Sequence, residues 1–262
     1  MTVPILTPHR EILRKADAVV ERAHASGALD RRAFMRLSTL GLSATILSAC
    51  NSAGPKGAQS LLNFAARQNE KFERWLLGEN TPAHIGRVMP AGARFPAYWV
   101  SDTVPIWDNA VRGAWSLEIS GAVKSPRTFS LDELKAMKME TQRVPHYCVE
   151  GWTAVADFTG VPMRSLLTAV QPNSDAKFVD FMSFDDGYHE SWDIESTMHP
   201  QTMVVLAKDG HALSPHYGAP ARVHGPIKLG YKNTKYLTKI VVMPGANGGY
   251  WSDRGYEWYG GT

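Results

Sequence analysis

Cys148 stands in VPHYCVEGW, residues 144–152, with His146, Tyr147, Glu150 and Trp152 around it. A thiol can close a disulfide, attack a substrate or bind a metal. The chain holds two cysteines, and the other is Cys50. No C-x-x-C, H-x-x-x-H or H-E-x-x-H spacing supports zinc. No glycine-rich nucleophile elbow supports a Cys–His hydrolase, and no C-x-x-C-H supports covalent haem. Two readings of Cys148 stay open: an inert core thiol, or one ligand of a metal held mainly by something else. Strand alternation over 143–149 puts His146 and Cys148 on one face, with Tyr147 and Val149 on the other. His146 suits a donor behind a metal ligand and a hydrogen-bonded core histidine equally. A second cluster, HYGAPARVHGPIKLGYKNTKYLTK at 216–239, carries Arg222, Lys228, Lys232, Lys235 and Lys239 with His216 and His224. Its glycines, Asn233 and Thr234 let backbone N–H groups come close to a phosphate. The same composition also describes a solvated basic loop. With a strand beginning after Thr234, Lys235 and Lys239 share one face and Tyr236 takes the other.

These groups need elements to place them. The chain has 262 residues, 44% of them hydrophobic, with eight tryptophans, enough for a substantial core. Residues 61–77 have helical spacing. Residues 80–112, rich in proline and aromatics, read as an ordered loop wrapping the core. Strands are expected at 115–121, 143–149, 177–184, 203–207, 221–224 and 236–243. Residues 124–127 read as a turn. Ser130-Leu-Asp-Glu133 is a capping box opening a helix to about Met139. Residues 160–170 read as a turn into a helix, and Asp185-Asp186-Gly187 and Asp209-Gly210 as turns. The sum is an α+β domain of mixed short strands and few helices.

The formal charge is +3, but residues 1–49 hold seven Arg/Lys and four Asp/Glu, leaving 21 of each in the remainder. The body has no basic surplus, which argues against nucleic-acid binding. In the leader, Arg31-Arg32 precede Phe34, Arg36 and thirteen uncharged, mostly apolar residues, too few to span a bilayer. This order is that of a twin-arginine export signal. Leu47-Ser48-Ala49-Cys50 resembles a bacterial lipobox, which makes Cys50 the lipidated N-terminus and removes it as a partner for Cys148. The expected organisation is a signal over 1–49, a flexible tether over 50–60 and a domain over 61–262. The expected location is the periplasmic face of a bacterial membrane.

The chain resembles the sulfite-oxidase family of molybdopterin enzymes, particularly its exported bacterial branch. The resemblance runs from about Arg94 to Thr262. It rests on HYCVEGW, GVPMRSLL (160–167), TMHPQTM (197–203), LSPHYGAPARV (213–223), GYKNTKYLTKI (230–240) and GGYWSDRGYEW (248–258). It implies a single molybdopterin-binding domain with molybdenum and molybdopterin as cofactor, and Cys148 as the thiolate on the metal. It implies Arg222, Asn233, Thr234 and Lys235 at the pterin phosphate, Ser183 as a further cofactor contact, and Tyr98 and Trp99 in an N-terminal contact segment. Trp152 and His146 would shape the catalytic pocket. Tyr217 stands where the reductase branch has asparagine, and Gly151 where it has alanine. The sulfite oxidases carry arginines just after their cysteine motif; here none follows before Arg164. The implied chemistry is oxygen-atom transfer, with a sulfoxide or related small S- or N-oxide as substrate. A haem-containing membrane or periplasmic partner would exchange electrons with it. Sulfite oxidation, or a non-catalytic binding lipoprotein of the same fold, are the alternatives.

Overall fold

Alternation in SLEISG makes β1, Ser116–Gly121, whose Leu117 and Ile119 are fully buried while the residues between them are half-exposed. The computed structural model describes residues 64–65, 68–71 and 97–262. The first two pieces are helical, inside the helix expected over 61–77. The segments expected as export signal (1–49) and tether (50–60), with Cys50, and residues 72–96 lie outside the described residues.

A short helix α1, Asn109–Arg112, capped by the Asp108 carboxylate, interrupts the expected loop. After β1 come β2, Arg127–Ser130, and α2, Leu131–Ala136. The capping box at Ser130 and Glu133 forms as the sequence predicts, but the helix stops at Ala136 because Met137 is extended. Next are β3, Glu140–Tyr147, β4, Thr153–Pro162, and α3, Met163–Val170. β5, Phe178–Ser183, β6, His189–Asp193, and α4, Ile194–Met198, follow. The chain continues through β7, Met203–Lys208, β8, His211–Ala212, β9, Arg222–His224, and β10, Leu237–Met243.

The strands form two five-stranded sheets. One runs β2-β1-β10-β5-β6; the other runs β3-β4-β7-β8, with β9 also on β7. The pairing of β1 with β10 is parallel, joining distant parts of the chain. A single apolar cluster joins both sheets: Leu117 and Ile119 meet Val179, Phe181 and Ile240 from the first, and Val161, Val204 and Val223 from the second. Leu166, Leu167 and Val170 add the buried face of α3. β7 is apolar on both faces. Val204 and Leu206 join this cluster, whereas Met203 and Val205 join a smaller one with Val144 and Phe158. The architecture is the α+β fold expected from the sequence.

Several local expectations change. Residues 160–162 end a ten-residue strand and form no turn. Gly160 is there for closeness of approach: a Cβ would sit 2.0 Å from the Val204 carbonyl oxygen, at a register shift between β4 and β7. β3 ends at Tyr147, so Cys148 lies in the following turn and strand alternation does not reach it. β10 begins at Leu237, so Lys235 and Lys239 share no strand face; Lys239 instead pairs with Glu118 at 2.9 Å.

Gly160→Ala is expected to lower stability by about 2 kcal/mol or more, read as a lower urea midpoint. An unchanged midpoint would contradict the close approach of β4 to β7.

Candidate active site

The turn that follows β3 is set by two backbone bonds: Cys148 N–H donates to Trp152 O at 2.9 Å, and Gly151 N–H to Cys148 O at 3.0 Å. Gly151 takes φ 86°, the left-handed conformation glycine adopts without strain. The turn brings Cys148, Glu150 and Trp152 together. Glu150 Oε2 accepts from Trp152 Nε1 at 3.0 Å and Tyr98 Oη at 2.9 Å, and lies 3.9 Å from Cys148 Sγ. Those two donors hold the Glu150 carboxyl below its ordinary pKa, Trp152 first. Burial, and then the Glu150 charge, push the Cys148 thiol up.

A cavity of about 310 Å³ opens beside this turn. Tyr98, Trp99, His146, Trp152, Ser183, Tyr217, Arg222, Asn233 and Lys235, all singled out in the sequence, line it. Cys148 itself is not among the lining residues, but its chain neighbours His146, Val149 and Glu150 are. Thr234 is fully buried just behind, its Oγ1 without a hydrogen-bond partner among the described residues. Sequence reasoning placed Glu150 beside Cys148 without giving it a role, and it assigned no role to Asp185, Tyr188, Tyr236, Trp251 or Tyr256, since a lining aromatic has no spacing that distinguishes it from core.

Asp185 fixes the near wall. Its carboxylate accepts from Val100 N–H at 2.6 Å and Ser101 N–H at 2.9 Å, which straps residues 97–101 across the cavity. The Ser183 hydroxyl accepts from Asp185 N–H at 2.9 Å. The lower wall is an aromatic column. The His146 ring lies 5.9 Å from Trp152 and 5.5 Å from His224, and His224 stacks on Phe158 at 4.1 Å. His146 Nδ1 meets His224 Nε2 at 3.4 Å. Burial first, then the charges of Arg222 and Lys235, push His146 down to about 3, so both rings are neutral at physiological pH. Neutral and packed, His146 has the features of both roles the sequence left open.

The basic cluster divides into two classes. Lys228 donates to Asp193 at 3.2 Å and to Tyr259 O at 2.7 Å, and Lys232 to Glu190 at 2.6 Å, all within the core. These two lysines tie the 228–235 segment to β6 and to the C-terminal tail, and they are not available to a phosphate. Arg222 is 3% exposed and its guanidinium meets only the carbonyls of Val223, Tyr217 and Asn233, each at 3.3 Å. Lys235 donates to the carbonyls of Tyr98 and of His216, the latter at 2.8 Å. Among the described residues neither cation pairs with a carboxylate. Burial, then Arg222, push Lys235 down to about 7. Burial lowers Arg222 to about 10, which leaves it charged at neutral pH. The Tyr236 hydroxyl lines the same end and has no partner among the described residues. The Asn233 side chain is used internally, accepting from Gly225 N–H and donating to Lys228 O and Leu229 O.

Residues 102–251 match the model of the oxidoreductase molybdopterin binding domain. The chain belongs to this family. It is 38% identical to a protein of Azospira oryzae, named provisionally as protein-methionine-sulfoxide reductase subunit YedZ1, over 88% of each chain. It is 33% identical to the protein-methionine-sulfoxide reductase catalytic subunit MsrP of Xanthomonas campestris, over 56% of this chain and 50% of that one. The corresponding MsrP of Ralstonia nicotianae is 31% identical over 48% and 43%. The fold matches the sulfane dehydrogenase SoxCD of Paracoccus pantotrophus with TM-score 0.54 and 20% identity, over 63% of this chain and 46% of that one. The protein is thus a molybdenum–molybdopterin oxidoreductase. The cavity suits that group. Its lining offers a buried arginine and a half-buried lysine, without carboxylate partners among the described residues, and an orphan phenol, a donor set for a phosphate; Cys148, a soft ligand for the metal, stands next to the lining residues Val149 and Glu150.

Sulfate, which does not titrate between pH 6 and 9, can probe the phosphate end of the cofactor-free chain. Lys235 is charged below about pH 7 and loses its proton above it. Sulfate affinity should therefore fall by up to ~10-fold per pH unit above 7. In Lys235→Arg, which stays charged, the affinity should be flat over that range. Calorimetric titration showing flat wild-type affinity would remove Lys235 from the anion site.

Proposed function

We propose that this enzyme reduces a small S-oxide, most simply a sulfoxide, at the periplasmic face of a bacterial membrane. The balanced reaction consumes one sulfoxide, two protons and two electrons, breaks the sulfur–oxygen bond, and yields one sulfide and one water. Bound, molybdenum–molybdopterin supplies a two-electron redox change coupled to transfer of one oxygen atom. The observation that carries the reading is a single cavity running from the Cys148 turn to the unpaired cations Arg222 and Lys235. In this reading Cys148 provides the thiolate, while Arg222 and Lys235, with the Tyr236 and Thr234 hydroxyls near, hold the phosphate. In the same reading His146, packed at a tilt against Trp152 and His224, gives the pocket an uncharged wall.

The substrate class is supported by the wall of the cavity. Tyr98, Trp99, Trp152, Trp251 and Tyr256 surround it with aromatic surface, which favours a neutral, weakly polar ligand. The names of the relatives point the same way. Arg31-Arg32 and Cys50 support export and a lipid anchor, which would hold the enzyme beside a membrane electron donor, a haem protein in this reading.

The molybdenum-loaded enzyme, driven by a reduced dye, should turn over dialkyl sulfoxides. Loss of ligand residues costs more than loss of their supporting partners, so Cys148→Ser should lower the rate by at least ~100-fold while leaving far-UV circular dichroism unchanged. Turnover of sulfite with no reduction of any sulfoxide would contradict the proposal.

A further inference from the structure

The Glu150 carboxylate occupies an unusual place. One oxygen collects the Tyr98 hydroxyl, the Trp152 indole N–H and the edge of the Cys148 thiol, at 2.9, 3.0 and 3.9 Å. The other oxygen, Oε1, makes no hydrogen bond among the described residues. The residue is exposed and lines the cavity beside Val149, Trp152 and Tyr98. Cations near the opposite end are Arg222 and Lys235, which the cofactor phosphate would neutralise. Among the described residues no arginine or lysine bonds to Glu150, whose donors are Tyr98 and Trp152. A negative charge thus stands next to the thiol, on the lining of the cavity.

We propose that Glu150 determines specificity by charge: it repels anionic ligands such as sulfite and admits neutral S-oxides. This deepens the functional reading above and rests on it, since it takes the Cys148 end of the cavity as the end that receives substrate. Tyr98 and Trp152 are positioning residues, because two donors on one oxygen fix the carboxylate and favour its ionised form. Glu150 is exposed, so its repulsion is that of a solvent-facing charge on the cavity lining, and salt screens it. Together with the absence of arginines between Cys148 and Arg164, it gives the pocket a polarity opposite to that of a site built for an oxyanion.

The test uses the molybdenum-loaded enzyme, in which the phosphate end is filled. Two unreactive tetrahedral probes are compared: sulfate, a dianion, and dimethyl sulfone, its neutral counterpart. Their dissociation constants are read from the perturbation of the optical spectrum, independently of turnover. In Glu150→Gln the affinity ratio of sulfate to sulfone should rise at least tenfold over wild type, an effect of about 1.4 kcal/mol, and the gain should shrink with added salt. Glu150→Asp, which keeps the charge, should stay within threefold of the wild-type ratio. An unchanged ratio in Glu150→Gln, or equal rises in both variants, would overturn the proposal, the second by showing that shape rather than charge is at work. If the wild-type enzyme reduces no sulfoxide, the functional reading fails, while the sulfate-to-sulfone ratio still decides the role of Glu150.

Discussion

The segment from Arg222 to Lys235 carries four buried or nearly buried cations, and folding neutralises only two of them. Lys228 and Lys232 find Asp193 and Glu190 within the core. Among the described residues Arg222 finds carbonyl dipoles, and Lys235 finds carbonyl dipoles and the rings of Trp99 and Tyr236. Burying a charge without a counter-charge is unfavourable, and Lys235 shows it in a pKa pushed down to about 7. An anionic group entering from the cavity removes that cost. The paired lysines make the arrangement rigid: they bind the segment to β6 and to the tail at Trp251 and Tyr259, so the two unpaired cations cannot move apart to water.

The other end of the cavity obeys a different rule. It is built from aromatic surface and neutral imidazoles, with one carboxylate and one thiol. His146 is stripped of charge by burial and by the same Arg222 and Lys235 that await the phosphate. The strap over 97–101, held by Asp185, places Tyr98 so that it touches both ends: its carbonyl takes Lys235, and its hydroxyl takes Glu150. Tyr98 thus bonds both Lys235 and the carboxylate beside the thiol.

Much of this was legible in the sequence. Alternation located β1 and β5, an apolar run located β7, and the Ser130–Glu133 pair located α2, because short-range patterning and capping express local physics. β4 was hidden because Gly160 and Pro162 read as a turn, while the glycine answers a long-range approach by Val204. Residues from the cysteine motif and from the 216–239 cluster line one cavity, among them His146, Trp152, Tyr217, Arg222, Asn233 and Lys235. The division of the lysines could not be read, since it depends on Asp193 and Glu190, whose strand β6 carries polar residues that tertiary pairing alone buries. The role of Asp185 escaped for a similar reason: its partners, Val100 and Ser101, lie tens of residues away.

The most direct test of the account is X-ray absorption at the molybdenum edge on the loaded enzyme, wild type beside Cys148→Ser. The account predicts three sulfur neighbours in the wild type, two from the pterin dithiolene and one from the protein, and two in the variant. An equal number of sulfur neighbours in both proteins would contradict the placement of Cys148 on the metal, and with it the orientation of the cofactor between the thiol and the Arg222–Lys235 pair.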